Sequence, residues 1–346
     1  MPQYDGIELV KLVCNNEFKP RWESYTLGEL DPECVRVKNE LTAAKHGTEK
    51  GEILGTASYM NFPMHGTAFD RSKATPFDAT KWQDTGNTSV GTVIAVGKEV
   101  KHLKEGDRVY NPGRFQTVAD FHNAKKLDGI SPEAACCMDP ADFAIAAVRD
   151  AKICIGDNVI VFGMGAIGLF TVQFAKLQGA LNVVAVDPIP ARRELALQHG
   201  ATKVVDPKEV ADFGVAAREW FENGADVTIE ASGNYIALNQ CLQATCYRGK
   251  VVPLSFYLGD AKGVYLGEEF HFNLLNIISA RACSDPQREL YWNEQRFFQT
   301  LRTLYKQGTI KPYGLPSPIT TMDKLPEAYG KIYHAPNEVV KVAVKY

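Results

Sequence analysis

Val159-Ile160-Val161-Phe162-Gly163-Met164-Gly165-Ala166-Ile167-Gly168 is the stretch on which the reading of this chain turns. Four apolar residues describe a buried strand, and the Gly-x-Gly-x-x-Gly after them opens a helical pattern from Ile167 to about Gln178. In that setting Gly163 makes a tight turn and Gly165 lets backbone approach a pyrophosphate. Gly168 lets helix and strand pack closely. The helix N-terminus adds free N–H groups and a positive dipole end, so the expected cradle is Gly163, Met164, Gly165, Ala166, Ile167 and Gly168. Nineteen residues beyond Gly168, at the end of the next apolar run, stands Asp187. A carboxylate there accepts hydrogen bonds from a ribose diol and repels a 2′-phosphate, which favours NAD over NADP. Arg192, with Arg193 beside it, keeps NADP open.

Working outward, apolar strands and helical stretches alternate. Candidate strands are Val159–Phe162, Val183–Val186, Lys203–Val205, Val227–Glu230, Val251–Leu254 and Ile277–Ala280, with helices near 167–178, 190–199 and 211–220. Such repetition predicts a parallel sheet covered on both faces. Ligands bind at the carboxyl edge of such sheets, which places Ser232 and Ser255 near the nicotinamide half.

Before residue 125 the texture differs: short strands such as 35–38, 90–100, 108–110 and 117–121 are separated by Gly, Pro and Asn/Asp clusters, as in a β-barrel or sandwich. Ser131-Pro132 opens a helix with Ser as N-cap, and Asp139-Pro140 repeats the device. A long helix is expected over about Pro286 to Gln307, with Gly308 as its C′ glycine. A Pro-rich, strand-like tail ending in Val339–Lys345 returns to the first domain. The expected division is 1–150 with 287–346 for the β-rich domain and 151–286 for the nucleotide-binding domain.

The 346 residues are 45% hydrophobic and 23% charged, with a formal net charge of −3. No basic tract and no long apolar run occurs, so neither nucleic acid nor a membrane is expected as partner, and the expected location is cytoplasmic. The eight cysteines include no Cys-x-x-Cys pair, and Cys136-Cys137 reads as buried free thiols. His102, His199 and His334 read as surface residues.

Together these features resemble the medium-chain dehydrogenase/reductase superfamily, in particular its polyol and alcohol dehydrogenases. Gly91-Thr-Val-Ile-Ala-Val-Gly97 with Lys104-Glu-Gly-Asp107-Arg-Val-Tyr110 is similar to the strand pair of its catalytic domain, and 130–168 to its linking helices and fingerprint. The resemblance implies an α/β chain: a GroES-like β-rich catalytic domain, a Rossmann domain with a doubly wound parallel sheet, and a C-terminal return. It also implies a homodimer or homotetramer.

The zinc positions depart from the family pattern. Where zinc-dependent members carry Cys-Gly-Thr/Ser-Asp, this chain reads His46-Gly47-Thr48-Glu49; where they carry Gly-His-Glu it reads Gly86-Asn87-Thr88; the third position reads Asp139-Pro140. A catalytic zinc wants three protein ligands, and Asn and Thr are poor ones. A site without catalytic zinc is therefore expected. A rebuilt metal site from His46, Asp139 and Glu49 or His65 stays open. Without metal, Lys45 or His46 takes the substrate proton or stabilises an alkoxide, with Thr48 relaying it and Glu49 nearby. Asn87, Thr88, Asp139 and Asp142 suit a hydroxyl-rich substrate: a sugar, glycoside, cyclitol or other polyol oxidised at a secondary alcohol. Asp139 has a simpler reading as the cap of its helix, and Glu49 as a surface partner of Lys45 or Lys50. Two alternatives remain: an NADPH-dependent, zinc-free quinone or enoyl reductase, and a nucleotide-binding protein without turnover.

Overall fold

The computed structural model describes residues 3–66, 68–282 and 292–346. Two compact units emerge: Met1–Cys136 with Leu315–Tyr346, and Cys137–Gly314. The chain is an α/β protein with a GroES-like β-rich unit and a Rossmann unit.

In the second unit six strands form one sheet in the spatial order Lys203–Val205, Asn182–Val186, Asn158–Phe162, Ala225–Glu230, Thr245–Pro253, Asn276–Ile277. All neighbours are parallel, and Val159 lies opposite Val183 on one side and Val227 on the other. Numbered along the chain, this is order 3-2-1-4-5-6, whose direction reverses between the first and fourth strands. Val159, Ile160, Val161 and Phe162 are all buried, as a strand covered on both faces requires. The helices Ala166–Gln178, Pro190–Gln198 and Phe213–Phe221 stand within about two residues of their expected bounds. The crossover Tyr235–Ala244 is an addition, capped by Asn234, whose side chain accepts from the Ile236 N–H at 2.8 Å. The sixth strand is shorter and earlier than its expected span.

The first unit is built on two long antiparallel strands, Cys34–Ala43 and Thr88–Val96. Gly91 lets them approach, since a Cβ there would lie 2.2 Å from the Lys38 carbonyl oxygen. Arg108–Pro112 and Val118–His122 extend the sheet, and Ala343–Lys345 pairs with Cys34–Ala43, so the tail does return to this unit. That tail is not all strand. Leu325–His334 is a helix burying Leu325, Tyr329 and Ile332, a 3.6-residue period that the prolines disguise; Pro326 stands in its first turn, where proline starts a helix rather than breaks one.

The unit boundaries differ from the expected 150/151 and 286/287. Met138–Asp150 packs on Ala166–Gln178 and on Glu294–Lys306, so both flanking helices fold with the parallel sheet. The long helix runs Glu294–Lys306, capped by Asn293 and followed by Gly308 at φ 68°; the expected turns over 286–291, and Cys283, lie outside the described residues. Cys136 and Cys137 are buried and in no disulfide. Among the described residues no helix is long and apolar enough to cross a membrane.

His199 is not a surface residue. It is 2% exposed, with Nδ1 2.7 Å from the Gln173 amide nitrogen and Nε2 3.2 Å from the Tyr313 carbonyl oxygen. Burial pushes its pKa down from 6.5 to about 4. The unfolded chain therefore binds the extra proton first, and stability present above pH 6.5 is lost as pH falls toward 4. At pH 5 the expected loss is about 2 kcal/mol. Thermal melts between pH 7 and 5 check this: in His199→Gln the slope of melting temperature with pH should flatten.

Candidate functional site

The fingerprint turn places each glycine under a different constraint. Gly163 has φ +90°, and a Cβ on it would meet the Ser232 backbone nitrogen at 2.7 Å. On Gly168 a Cβ would lie 1.8 Å from the Gly163 carbonyl oxygen. Gly165 differs: its φ −75° and ψ −175° suit any residue, and nothing in the chain comes within 4 Å of its missing Cβ. Neither backbone nor neighbours ask for glycine there, and the space over the helix N-terminus is open. Met164, Ala166 and Ile167 complete the turn and the first helical residues.

Asp187 directly follows the second strand, Asn182–Val186, and is 3% exposed. Its Oδ2 accepts from the Met164 N–H and its Oδ1 from the Ile189 N–H, both at 2.8 Å. A carboxylate has about four lone-pair sites, so two remain for a diol. Arg192 lies 3.9 Å from Oδ2, and burial lowers its pKa while Asp187 raises it. Arg193 is committed to the Asp187 carbonyl oxygen and to Asp206. Ser232 and Ser255 come together: a Cβ on Gly233, next to Ser232, would stand 3.6 Å from that of Ser255. Sequence reading missed Glu230 and Tyr257, which tie these loops together; the only signal was a charged residue closing a buried strand.

In the first unit the helix His46–Ile53 follows directly on the strand Cys34–Ala43. The Lys45 N–H donates to Glu49 Oε1, while Glu49 Oε2 accepts from the Gly86 N–H at 3.1 Å and the Tyr329 hydroxyl at 2.5 Å. Glu49 is thus a buried brace, not a surface partner of Lys45 or Lys50, and it binds together the two segments that carry Lys45-His46 and Asn87-Thr88. Desolvation and then Glu49 hold the Tyr329 phenol well above the usual tyrosine range.

His46 is half-buried, and its Nε2 accepts from the Val342 N–H at 2.9 Å. A ring nitrogen that accepts carries no proton, so the neutral ring holds its proton on Nδ1. Thr48 is half-buried in the helix's first turn. The Asn87 N–H donates to the Ala43 carbonyl, and the Thr88 hydroxyl donates to Asn87 Oδ1 at 3.1 Å. Lys341, which sequence reading passed over, is a buried ammonium donating to the Ala44 carbonyl at 2.7 Å.

Asp139 and Asp142 belong to the second unit. Asp139 does not cap its helix: Met138–Asp150 begins one residue before it, with Cys137 at the cap and Asp139 in the first turn, where a carboxylate favours the positive helix end. The helix starts early because Met138 continues the buried run from Cys136. Asp142 is half-buried on the same helix.

The donors do not fit zinc. His46 Nε2 and both Glu49 oxygens are engaged, and the second ligand position offers an amide and a hydroxyl. His65 is exposed, 3.5 Å from Asp70. Among the described residues no three of His, Cys, Asp or Glu are grouped to hold a metal ion.

The zinc-binding dehydrogenase family profile matches residues 166–293. D-guloside 3-dehydrogenase of Escherichia coli K12 is 33% identical over 326 residues, covering 90% of this chain and 93% of that protein. Among solved structures, 2R,3R-butanediol dehydrogenase from Bacillus subtilis superposes with a TM-score of 0.76 at 22% identity, over 98% of this chain and 99% of that one. Galactitol-1-phosphate dehydrogenase from Escherichia coli gives 0.75 at 18%, over 97% and 100%. At those identities the two structures speak for the fold.

Proposed function

This chain belongs to the zinc-binding dehydrogenases of the medium-chain dehydrogenase/reductase superfamily, and on that premise we propose that it is an NAD-dependent dehydrogenase of a secondary alcohol in a sugar, glycoside, cyclitol or other polyol, working without catalytic zinc. The observation that carries the reading is the open space over Gly165, in a turn whose Met164 N–H is held by the Asp187 carboxylate. The substrate class rests on the 33% identity to a protein named for oxidising a guloside, and on the amide and hydroxyl of Asn87 and Thr88.

Gly163 to Gly168 would hold the pyrophosphate, Asp187 the adenosine ribose, and Ser232 and Ser255 the loops beside the nicotinamide. The bound dinucleotide supplies the hydride acceptor. Asn87 and Thr88 orient substrate hydroxyls. The Lys45 ammonium and the His46 Nδ1–H stabilise negative charge on the substrate oxygen as its proton leaves, and Thr48 passes that proton to solvent water. Glu49 fixes the backbone on which Lys45 and Asn87 sit.

The test is absorbance at 340 nm with NAD across a panel of glycosides, sugars, polyols and cyclitols. Turnover with one class, faster with NAD than NADP, is the expected result. A clear preference for NADPH with activated C=C substrates would move the reading to a zinc-free reductase, and silence with tight NADH binding to a non-catalytic one. Asp187→Asn should lower the NAD-to-NADP ratio of kcat/KM about tenfold, since it removes the charge that repels a 2′-phosphate.

We further propose a homo-oligomer. Among the described residues the strand Asn276–Ile277 lies at one edge of the six-stranded sheet, with Phe272, Leu274 and Ile277 exposed around it. Light scattering should return a multiple of 38.2 kDa, and Ile277→Lys should lower it.

A further inference from the structure

Glu230 ends the fourth strand of the Rossmann unit in register with Phe162, the residue before the fingerprint turn. Its side chain is fully buried. Oε1 accepts from the Ser232 N–H at 2.7 Å and from the Ser232 hydroxyl, and Oε2 accepts from the Gly233 N–H at 3.0 Å and the Tyr257 hydroxyl at 2.5 Å. All four partners donate, so both oxygens act as acceptors and the group is a carboxylate. None of the four is a cation, and Glu230 has no ion pair among the described residues. Asp187, the other buried carboxylate of this edge, has Arg192 beside it. Glu230 is therefore the uncompensated anion at the point where the strand order reverses, beside a turn that a Cβ on Gly163 would jam against Ser232.

Hydride transfer changes one charge at this edge. Oxidation of an alcohol delivers two electrons and one proton, as hydride, to the nicotinamide and releases the hydroxyl proton; the ring loses its positive charge. Pyrophosphate, both riboses and adenine are common to the oxidised and reduced forms. A buried anion therefore distinguishes the two forms only through the ring.

We propose that Glu230 sets the relative affinity for oxidised and reduced cofactor, favouring NAD+ and so making bound NADH the stronger hydride donor. This rests on the reading that the Rossmann unit binds a nicotinamide dinucleotide. The consequence is directional: on the protein the equilibrium leans toward carbonyl reduction compared with free solution. Its field already reaches neighbours. Desolvation first and Glu230 second hold the Tyr257 phenol and the Cys241 thiol well above their usual ranges. Tyr257, stacked on Tyr235 at 5.0 Å, fixes the loop that supplies one donor and tempers the charge.

The experiment measures dissociation constants of NAD+ and NADH by fluorescence titration, with no substrate present, for the wild type, Glu230→Gln and Tyr257→Phe. Glu230→Gln should raise the ratio Kd(NAD+)/Kd(NADH) about tenfold, the scale of one unit charge acting at the effective dielectric of a protein. Tyr257→Phe leaves the carboxylate but removes a donor, and should lower the ratio about twofold, so it carries the test if Glu230→Gln does not fold by circular dichroism. A merely structural role would weaken both forms equally. Unmoved ratios in folded variants overturn this inference alone; wild-type protein that binds neither form overturns the nucleotide reading and this inference with it.

Discussion

His46→Ala is expected to lower kcat by about 10²- to 10⁴-fold, the usual contribution of a positioned proton-handling group, while leaving the dissociation constant of NADH unchanged. The expectation follows from the ring's tautomer. With Nε2 held by the Val342 N–H, the acceptor lone pair of the resting ring is in use and its proton sits on Nδ1. In this arrangement the ring offers a hydrogen bond to developing negative charge more readily than it abstracts a proton. Taking up a proton at Nε2 requires the Val342 contact to open. The same contact gives His46 a structural duty, so the alanine variant alone does not separate the two roles. His46→Gln does: its side-chain oxygen can accept from Val342 but its amide carries no ring to protonate. Recovery of kcat in His46→Gln would mark His46 as a brace. Continued loss in this variant, which keeps the Val342 contact, would mark it as the group that handles the substrate oxygen.

What could be read in the chain was what is local. The strand 159–162, the three glycines and Asp187 lie within thirty residues, and all but Gly165 answer a constraint that their neighbours impose. Parallel strands buried on both faces announce themselves as apolar runs, so the sheet was legible from one strand to the next. Glu49 was not legible as a buried brace, because its partners are the Gly86 N–H and the hydroxyl of Tyr329, 280 residues away. The helix holding Tyr329 was itself hidden, since prolines around it read as breaks. His199 shows the same limit: its hydrogen-bond partners, the Gln173 amide nitrogen and the Tyr313 carbonyl, and its ring neighbours Phe170 and Tyr313 are brought together only in the folded chain. The first unit boundary falls fourteen residues earlier than the expected 150/151 for a related reason. A helix's allegiance is set by what it packs on, and Met138–Asp150 packs on a helix that follows it.

Gly168→Ala and Gly165→Val should separate two effects that a glycine fingerprint usually confounds. At Gly168 the added carbon would sit 1.8 Å from the Gly163 carbonyl oxygen, well inside contact distance, and the obstacle is backbone rather than a side chain that can swing away. Helix and turn must part, at a cost of about 3 kcal/mol in stability, near the upper end for overpacking. Calorimetry should show a lowered melting temperature with no cofactor present, and binding should fall as a consequence. At Gly165 the larger substitution meets nothing in the chain, and its extended backbone accepts a β-branched residue. The melting temperature of Gly165→Val should match the wild type within the usual range for exposed sites. Its affinity for NADH should nevertheless drop about a hundredfold, close to 2.7 kcal/mol, because the new side chain occupies the space over the helix N-terminus. Equal melting temperatures with undiminished NADH binding would remove the cradle from the reading, since the one glycine that the protein itself does not need would then have no ligand to explain it.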